Sequence, residues 1–331
     1  MTEIRDVDVS DEGQLRSWYD VWAAAQSHRP AVLVETWEAS RRALATPHPS
    51  FAFELFTVRR NGEPAGAGLV NLPQEDNLTV AYADAGVHHD HRRHGVGTTL
   101  VTEIERRARA AGRHRVLLEV NEQPGGDRGD SAFAEARGYT VANREGMKAV
   151  DLAASEPSWP GLEHQAAEHR GSYDIVTWRD RCPDDLVAGF AAALSRIMSL
   201  IPQGELDLED SDFTVDRIRS LEERRLVIGL ATFESAAVTP DGVVAGLTGV
   251  RVNLHDPRVA HVGVTMVLPG HRGHRLGLAV KLAGHRALRA DVPDCAAVVT
   301  SNADVNTHMN AINEALGYRQ LETLLEYHRT L

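Results

Sequence analysis

The chain repeats itself. Around Arg92 it reads Val87-His88-His89-Asp90-His91-Arg92-Arg93-His94-Gly95-Val96-Gly97, and around Arg272 it reads Val267-Leu268-Pro269-Gly270-His271-Arg272-Gly273-His274-Arg275-Leu276-Gly277. The two arginines are 272 − 92 = 180 positions apart, and Gly97 and Gly277 are also 180 apart. A second landmark, Gly138-Tyr139, recurs as Gly317-Tyr318 at an offset of 179. Separate landmarks at nearly one spacing point to duplication of a whole domain. At about 150 residues per domain, a chain of 331 residues has room for two copies.

The patterns around the landmarks agree. Strand character precedes each arginine motif, at 51–58 and 78–85 in the first copy and at 226–233 and 260–267 in the second. Each motif opens a helix: Leu100, Ile104, Ala108 and Ala111 recur at helical spacing after the first, and Leu276, Val280, Ala283 and Ala287 after the second. A short apolar strand follows (116–120 and 296–300), then a helix ending where Gly138 or Gly317 can take the left-handed cap conformation. A helix pair is expected upstream of each sheet, burying Leu15, Trp18, Trp22 and Ala25 in one copy and Phe190, Leu194, Ile197 and Ile201 in the other. The reading is an α+β fold of two tandem domains, 1–152 and 172–331, each a mixed, mostly antiparallel sheet flanked by helices. Residues 153–171 are rich in Ser, Pro, Glu and His without periodicity and are expected to be a linker.

The 35 basic and 47 acidic residues leave a net charge of −12. That balance lacks the basic field that nucleic acid or an anionic membrane selects, and it favours a cationic partner. Two cysteines, Cys182 and Cys295, provide no disulfide framework and fit a reducing cytoplasm. The N-terminus lacks the apolar core of a secretion signal, and no apolar run approaches the roughly 20 residues that cross a bilayer. A cytoplasmic protein that binds neither nucleic acid nor membrane is expected.

A strand that passes through a glycine-bearing turn into a helix gathers backbone N–H groups in one concavity, and the helix dipole adds to their attraction for phosphate. Arg92, Arg93, Arg272 and Arg275 supply guanidinium groups for such an anion. Gly95 and Gly97 are read as giving the phosphate close approach to the backbone. His88, His89, His91 and His94 crowd the first turn, and His271 and His274 recur in the second, so they are assigned to the turn and no metal is expected.

On these residues the chain resembles the GNAT superfamily of acyl-CoA-dependent N-acetyltransferases, whose signature at the pyrophosphate turn is Q/R-x-x-G-x-G/A. The first copy carries it in full from Arg92 to Gly97; in the second, Arg275 stands where the first glycine belongs. The tandem layout is similar to that of mycothiol synthase and other two-domain actinobacterial members, which implies chemistry in the second copy, with the first copy, whose glycine turn is intact, as the alternative. The resemblance implies acetyl-CoA as co-substrate. Its contacts would be Arg92, Arg93, His94, Gly95, Val96, Gly97 and Thr98 in the first copy. In the second they would be Arg272, Gly273, His274, Arg275, Leu276, Gly277 and Leu278, with Asn306 near the last helix. Backbone amides from Ala85 to Val87, and at Met266, Val267 and Leu268, are placed by the same resemblance at the acetyl carbonyl.

Many members put a tyrosine, as acid toward the departing thiolate, four residues before the Gly-aromatic pair. Ala134 and Asn313 occupy those positions, which leaves Asn313 as a hydrogen-bond donor. A thiol of pKa about 8.5 leaves tolerably without an acid, whereas an amine of pKa near 10 needs a base. The candidates are Glu119, on a strand of the first copy, and Asp207, in the acidic loop of Glu205, Asp207, Glu209, Asp210 and Asp212. The expected function is transfer of acetyl from acetyl-CoA to a primary amine of a small molecule by direct attack. The alternative is a non-catalytic acyl-CoA sensor or scaffold.

Overall fold

The computed structural model describes residues 2–331, which divide into two compact units: residues 2–144 with Leu324–Leu331, and Glu145–Thr323. The first unit opens with β1 (Thr2–Asp6), α1 (Glu12–Ala25) and α2 (Trp37–Ala45). The hairpin β2 (Phe51–Arg60) and β3 (Glu63–Pro73) follows, then β4 (Val80–Val87), α3 (Val96–Ala110), β5 (Arg115–Glu122), α4 (Gly129–Ala136) and the start of β6 (Thr140–Asp151). Its sheet runs β1-β2-β3-β4-β5, antiparallel except that β4 and β5 are parallel.

Both faces of this sheet are covered. Leu100, Ile104 and Ala108 of α3 pack on Phe56, Val58 and Val70, while Leu15, Trp18 and Val21 of α1 pack on Leu55 and Ala67. Small residues in β3 let the layers close: a Cβ on Gly68 would come 2.3 Å from the Phe56 ring, and the Trp18 indole donates to the Gly68 carbonyl at 2.9 Å.

The second unit contains α5 (Leu152–Ser155), α6 (Trp159–Arg170), β7 (Asp174–Arg179), α7 (Val187–Leu194), α8 (Ile197–Leu200) and α9 (Val215–Val227). After them come β8 (Leu230–Val238), β9 (Val244–Asn253), β10 (Val259–Val267), α10 (Leu276–Asp291), β11 (Ala297–Ala303) and α11 (Thr307–Ala315). Its sheet runs β7-β8-β9-β10-β11, again with one parallel pair, β10 and β11, and residues 145–151 of β6 lie antiparallel beside β11. The chain closes with β12 (Arg319–Thr330). From Leu324 onward this strand belongs to the first unit, where it lies beside β5 and Arg329 pairs with Glu105 at 2.6 Å.

The stretch expected to be a linker is folded. Residues 152–170 form α5 and α6, and Trp159 is only 1% exposed. Its indole donates to the Ser155 hydroxyl at 2.8 Å, which donates in turn to the Leu316 carbonyl at 2.6 Å. Two arginines of α10 hold the segment through charge: Arg286 to Glu163 at 2.8 Å and Arg289 to Glu156 at 3.3 Å. Another expectation shifts: Leu226 and Val227 end α9 in exposed positions, and the strand begins only at Leu230.

The Gly-Tyr landmark has a folding cause. Gly138 N–H donates to the Glu135 carbonyl (3.0 Å) and Tyr139 N–H to Ala134 (3.1 Å); Gly317 and Tyr318 repeat this with Glu314 (2.9 Å) and Asn313 (3.0 Å). Both glycines are left-handed, at φ +81° and +86°, and both tyrosines are buried. This is a Schellman closure with an aromatic as its hydrophobic contact.

If residues 152–170 are integral to the second unit, Trp159→Ala should lower its unfolding free energy by about 3–5 kcal/mol, the range for a buried Trp. Urea denaturation measures it, and a loss under about 0.5 kcal/mol, the surface range, would return the segment to a linker.

Candidate functional site

The two arginine turns share one backbone path. After β4 a single tight helical turn (His89–His91) leads to an extended Arg92 (ψ 154°); after β10 the same turn (Pro269–His271) leads to Arg272 (ψ 163°). Each path then needs two left-handed residues, two positions apart. In the first they are Arg93 (φ +62°) and Gly95 (φ +81°); in the second, Gly273 (φ +88°) and Arg275 (φ +52°). Glycine and arginine have exchanged places. Arg275 therefore preserves the turn at a cost of about 1–2 kcal/mol for a left-handed side-chain residue.

No side chain caps α3 or α10. The first-turn amides of Val96, Gly97 and Thr98, and of Leu276, Gly277 and Leu278, have no carbonyl within their helix to bind. The reason for Gly97 differs from the expected one. A Cβ on Gly97 would come 3.2 Å from Phe133 and one on Gly277 3.1 Å from Ile312, so both glycines make room for the next helix; only open space surrounds Gly95, which serves its positive φ.

Side chains distinguish the turns. Those of Arg92, Arg93 and His94 are exposed and make no hydrogen bond or ion pair among the described residues. Arg137 joins them, lying 5.5 Å over the Phe133 ring and donating to the Thr98 hydroxyl on the first turn of α3. It lies outside the motif, which is why sequence reading missed it. At the second turn Arg275 donates to Gln165 at 2.9 Å, His274 Nδ1 lies 3.3 Å from the His169 carbonyl, and Arg272 donates to the Val267 carbonyl at 3.3 Å. There α6 occupies Arg275 and His274, and the end of β10 occupies Arg272. In the first turn His88, His89 and Asp90 bring potential ligand atoms within 4.8 Å, but His88 Nδ1 accepts the Asp90 N–H at 3.3 Å and so closes the turn.

A fork opens before each turn. Pairing of β4 with β5 stops at Ala83 and Leu118, and that of β10 with β11 at His261 and Val299. Beyond these pairs Ala85 and Val87, and Met266 and Val267, run along an edge that the parallel neighbour has left; Leu268 follows the second strand. Alternation puts Asp84 on the α1 face beside Gly86, where a Cβ would come 3.0 Å from Ala25.

Asp84 has open surface, yet protein crowds around it, and the loss of water pushes its carboxyl up, opposed only by the charge of Arg29. Burial likewise raises Glu35, just before α2; the Ser40 hydroxyl at 3.5 Å opposes this, and the charge of Asp84 adds to it. Glu119 is the first β5 residue past the last pair, exposed and on the same face by alternation. Facing carboxylates with raised affinity for protons suit a cleft that takes an ammonium group or its proton. Glu35 and Asp84 stand 84 − 35 = 49 positions apart in no motif, so nothing in the sequence flagged them.

Three expected site residues have other duties. Asn313 is 0% exposed, accepts from Lys281 at 2.8 Å and donates to Asn302 at 2.9 Å; its amide is spent inside the unit and cannot serve a thiolate. In the same interior, desolvation and then the Lys148 charge push Lys281 down to about 7. Asn306 caps α11 by accepting the Met309 N–H at 3.2 Å. Asp207 sits in an exposed loop at φ +48°, where Gln203 brackets Leu208 (3.0 and 3.2 Å).

Arg93→Gly should raise the unfolding free energy by about 1 kcal/mol and Gly95→Ala should lower it by about as much. Urea titration decides, and equal losses in both variants would refute a left-handed requirement at these positions.

The acetyltransferase (GNAT) family matches residues 14–126. Among solved structures the chain is similar to a tandem GNAT protein from the clavulanic acid biosynthesis pathway, 26% identical with a TM-score of 0.81, covering 100% of this chain and 98% of that one. It is similar in fold to a GCN5-related N-acetyltransferase from Sphaerobacter thermophilus (16% identical, TM-score 0.66, covering 99% and 95%). It is also similar in fold to N-myristoyltransferase from Saccharomyces cerevisiae (13%, 0.59, 99% and 80%). No curated protein matches it. Among the described residues no helix is long and apolar enough to cross a membrane. With its duplicated turn, fork and uncapped helix, the chain carries a tandem GNAT fold, and the acetyltransferase (GNAT) family match lies in its first unit.

Proposed function

We propose that the protein transfers acetyl from acetyl-CoA to a primary amine of a small molecule, by direct attack in a ternary complex, and that transfer takes place in the first unit. The observation that carries this reading is the carboxylate pair Asp84 and Glu35 beside the fork of a unit whose turn keeps Arg92 and Arg93 for a ligand. The clavulanic acid pathway protein, a tandem GNAT protein solved without AcCoA, supports acetyl as the acyl group.

Acetyl-CoA supplies a thioester carbonyl. Arg92, Arg93, His94 and Arg137, with the uncapped amides of Val96, Gly97 and Thr98, are the groups that would hold its pyrophosphate. The main chain at Ala85 and Val87, on the open edge of β4, is where a fixed N–H would meet the carbonyl oxygen. Asp84 and Glu35 attract the ammonium form of the acceptor and accept its proton, because a raised carboxyl lies closer in basicity to an amine of pKa about 10. Glu119 extends the acidic lining at the base of the fork.

The tandem resemblance favoured the second copy for chemistry. Against it stand the ties of α6 to Arg275 and His274, and a fork lined by Arg251 and His261 instead of carboxylates. We assign acyl-CoA binding without turnover to Arg272, Gly273, Arg275 and Gly277 of that unit, which is the sensor reading applied to one half.

Asp84→Asn and Glu35→Gln should each lower kcat/KM by about 100-fold or more, the usual contribution of a proton acceptor, in a thiol-release assay across a panel of amines. Arg92→Ala should instead raise the KM for acetyl-CoA. Should Asp84→Asn stay fully active while Arg272→Glu is dead, the chemistry belongs to the second unit. The pH dependence has a fixed sign. A carboxyl raised in the folded state contributes stability below its unfolded pKa and loses it as pH rises through the folded value. Asp84→Asn should therefore melt higher than wild type at neutral pH while working more slowly.

A further inference from the structure

The fork of the second unit presents an unmatched cation. Thr232 of β8, Arg251 of β9 and His261 of β10 are direct partners across three adjacent strands, so their side chains share one sheet face. It is the face on which α7 and α9 lie, since Val250, Val252 and Ala260 alternate into the core under α10. The Arg251 guanidinium lies across Gly263, the extra residue where β10 slips against β9; a Cβ at Gly263 would come 3.1 Å from its central carbon. No hydrogen bond or ion pair reaches the guanidinium among the described residues, and its Nε is enclosed. Beside it Thr232 is 0% exposed with its hydroxyl unpartnered.

Neighbouring charges leave Arg251 unbalanced. Glu234, the carboxylate nearest in charge effect, accepts from the Trp178 indole at 3.0 Å and from Arg225 at 3.2 Å, so an arginine already matches it. Loss of water, then the charge of Arg225, pushes Arg251 down to about 10, which leaves it charged near neutrality. His261 has open surface but is ringed by protein, and desolvation lowers its pKa and favours the neutral ring.

We propose that Arg251, Thr232 and His261 form a binding site for the carboxylate of a small molecule in the second unit. A guanidinium presents two parallel N–H groups that fit a carboxylate, and a buried hydroxyl and a ring nitrogen add donors. One unmatched positive charge balances a carboxylate and leaves a phosphate dianion half neutralised. Position separates this site from the phosphate turn: His261 lies 267 − 261 = 6 residues before Val267, about 20 Å along an extended strand. The proposal holds whichever unit performs acetyl transfer.

Calorimetric titration of the full-length protein with acetate, L-glutamate and succinate in low-salt buffer tests it, with inorganic phosphate as the competing arm. At least one carboxylate should bind saturably, Arg251→Gln should weaken it by at least about 10-fold, as loss of a charged hydrogen-bonding partner does, and phosphate should not displace it. Arg251→Lys keeps the charge without the planar fork and should also lose most of the affinity. Without ligand, Arg251→Met should raise the melting temperature by about 2 °C or more, because it removes a desolvated charge; an arginine with a merely structural role would melt lower on replacement. The proposal is overturned if no carboxylate binds, if Arg251→Gln binds as well as wild type, if phosphate competes at lower concentration, or if Arg251→Met melts lower.

Discussion

A peptide chain can offer several amides to one anion only if it turns sharply before entering a helix, and only if nothing of its own caps that helix. In this protein the turn is made by two left-handed residues separated by one, and it is made twice. Everything else follows the turn: the parallel neighbour must diverge to leave a fork, and the next helix must sit close enough to exclude any side chain at Gly97 or Gly277. Because the requirement is on φ, glycine and arginine can trade positions between copies without changing the path. Signature matching by residue identity penalises Arg275; matching by backbone conformation does not.

Above this common backbone the two forks have opposite electrostatic character. In one, loss of water raises the proton affinity of Asp84 and Glu35, the charge of Asp84 adds to it at Glu35, and only Arg29 opposes at Asp84. In the other, Arg251 and His261 take the lining positions. Desolvation is the first cause in all four groups, which makes each fork a place where ionisation depends on what enters it. Such groups cost the fold stability, and a cleft that keeps them is arranged for a ligand of opposite charge.

The parts legible in the sequence were those with periodicity or a fixed local geometry. The turn, the helices after it and the Gly-Tyr closure could be read because each is a few residues with a characteristic spacing. Helix α6 was illegible because its stability comes from one tryptophan and from ion pairs with α10, not from a repeating apolar stripe. Strands β3 and β9 escaped notice because glycine and alanine replace the branched residues of an ordinary strand, as the close packing of Phe56 on Gly68 requires. Candidate catalytic residues fared worst. Asn313 holds a motif position, but its amide faces Lys281 inside the unit, while Glu35 and Asp84 meet only through tertiary structure.

The return of Leu324–Leu331 to the first unit has a consequence for how the protein is made. The 323 − 144 = 179 residues between the two parts of that unit must be translated first, which at about 5–20 residues per second takes roughly 10–35 s. During that interval β5 is an uncovered strand edge at the ribosome, with its backbone groups free to pair with another chain. The nascent first half thus passes through a period of aggregation risk that ends only when residues 324–331 have emerged to pair with β5.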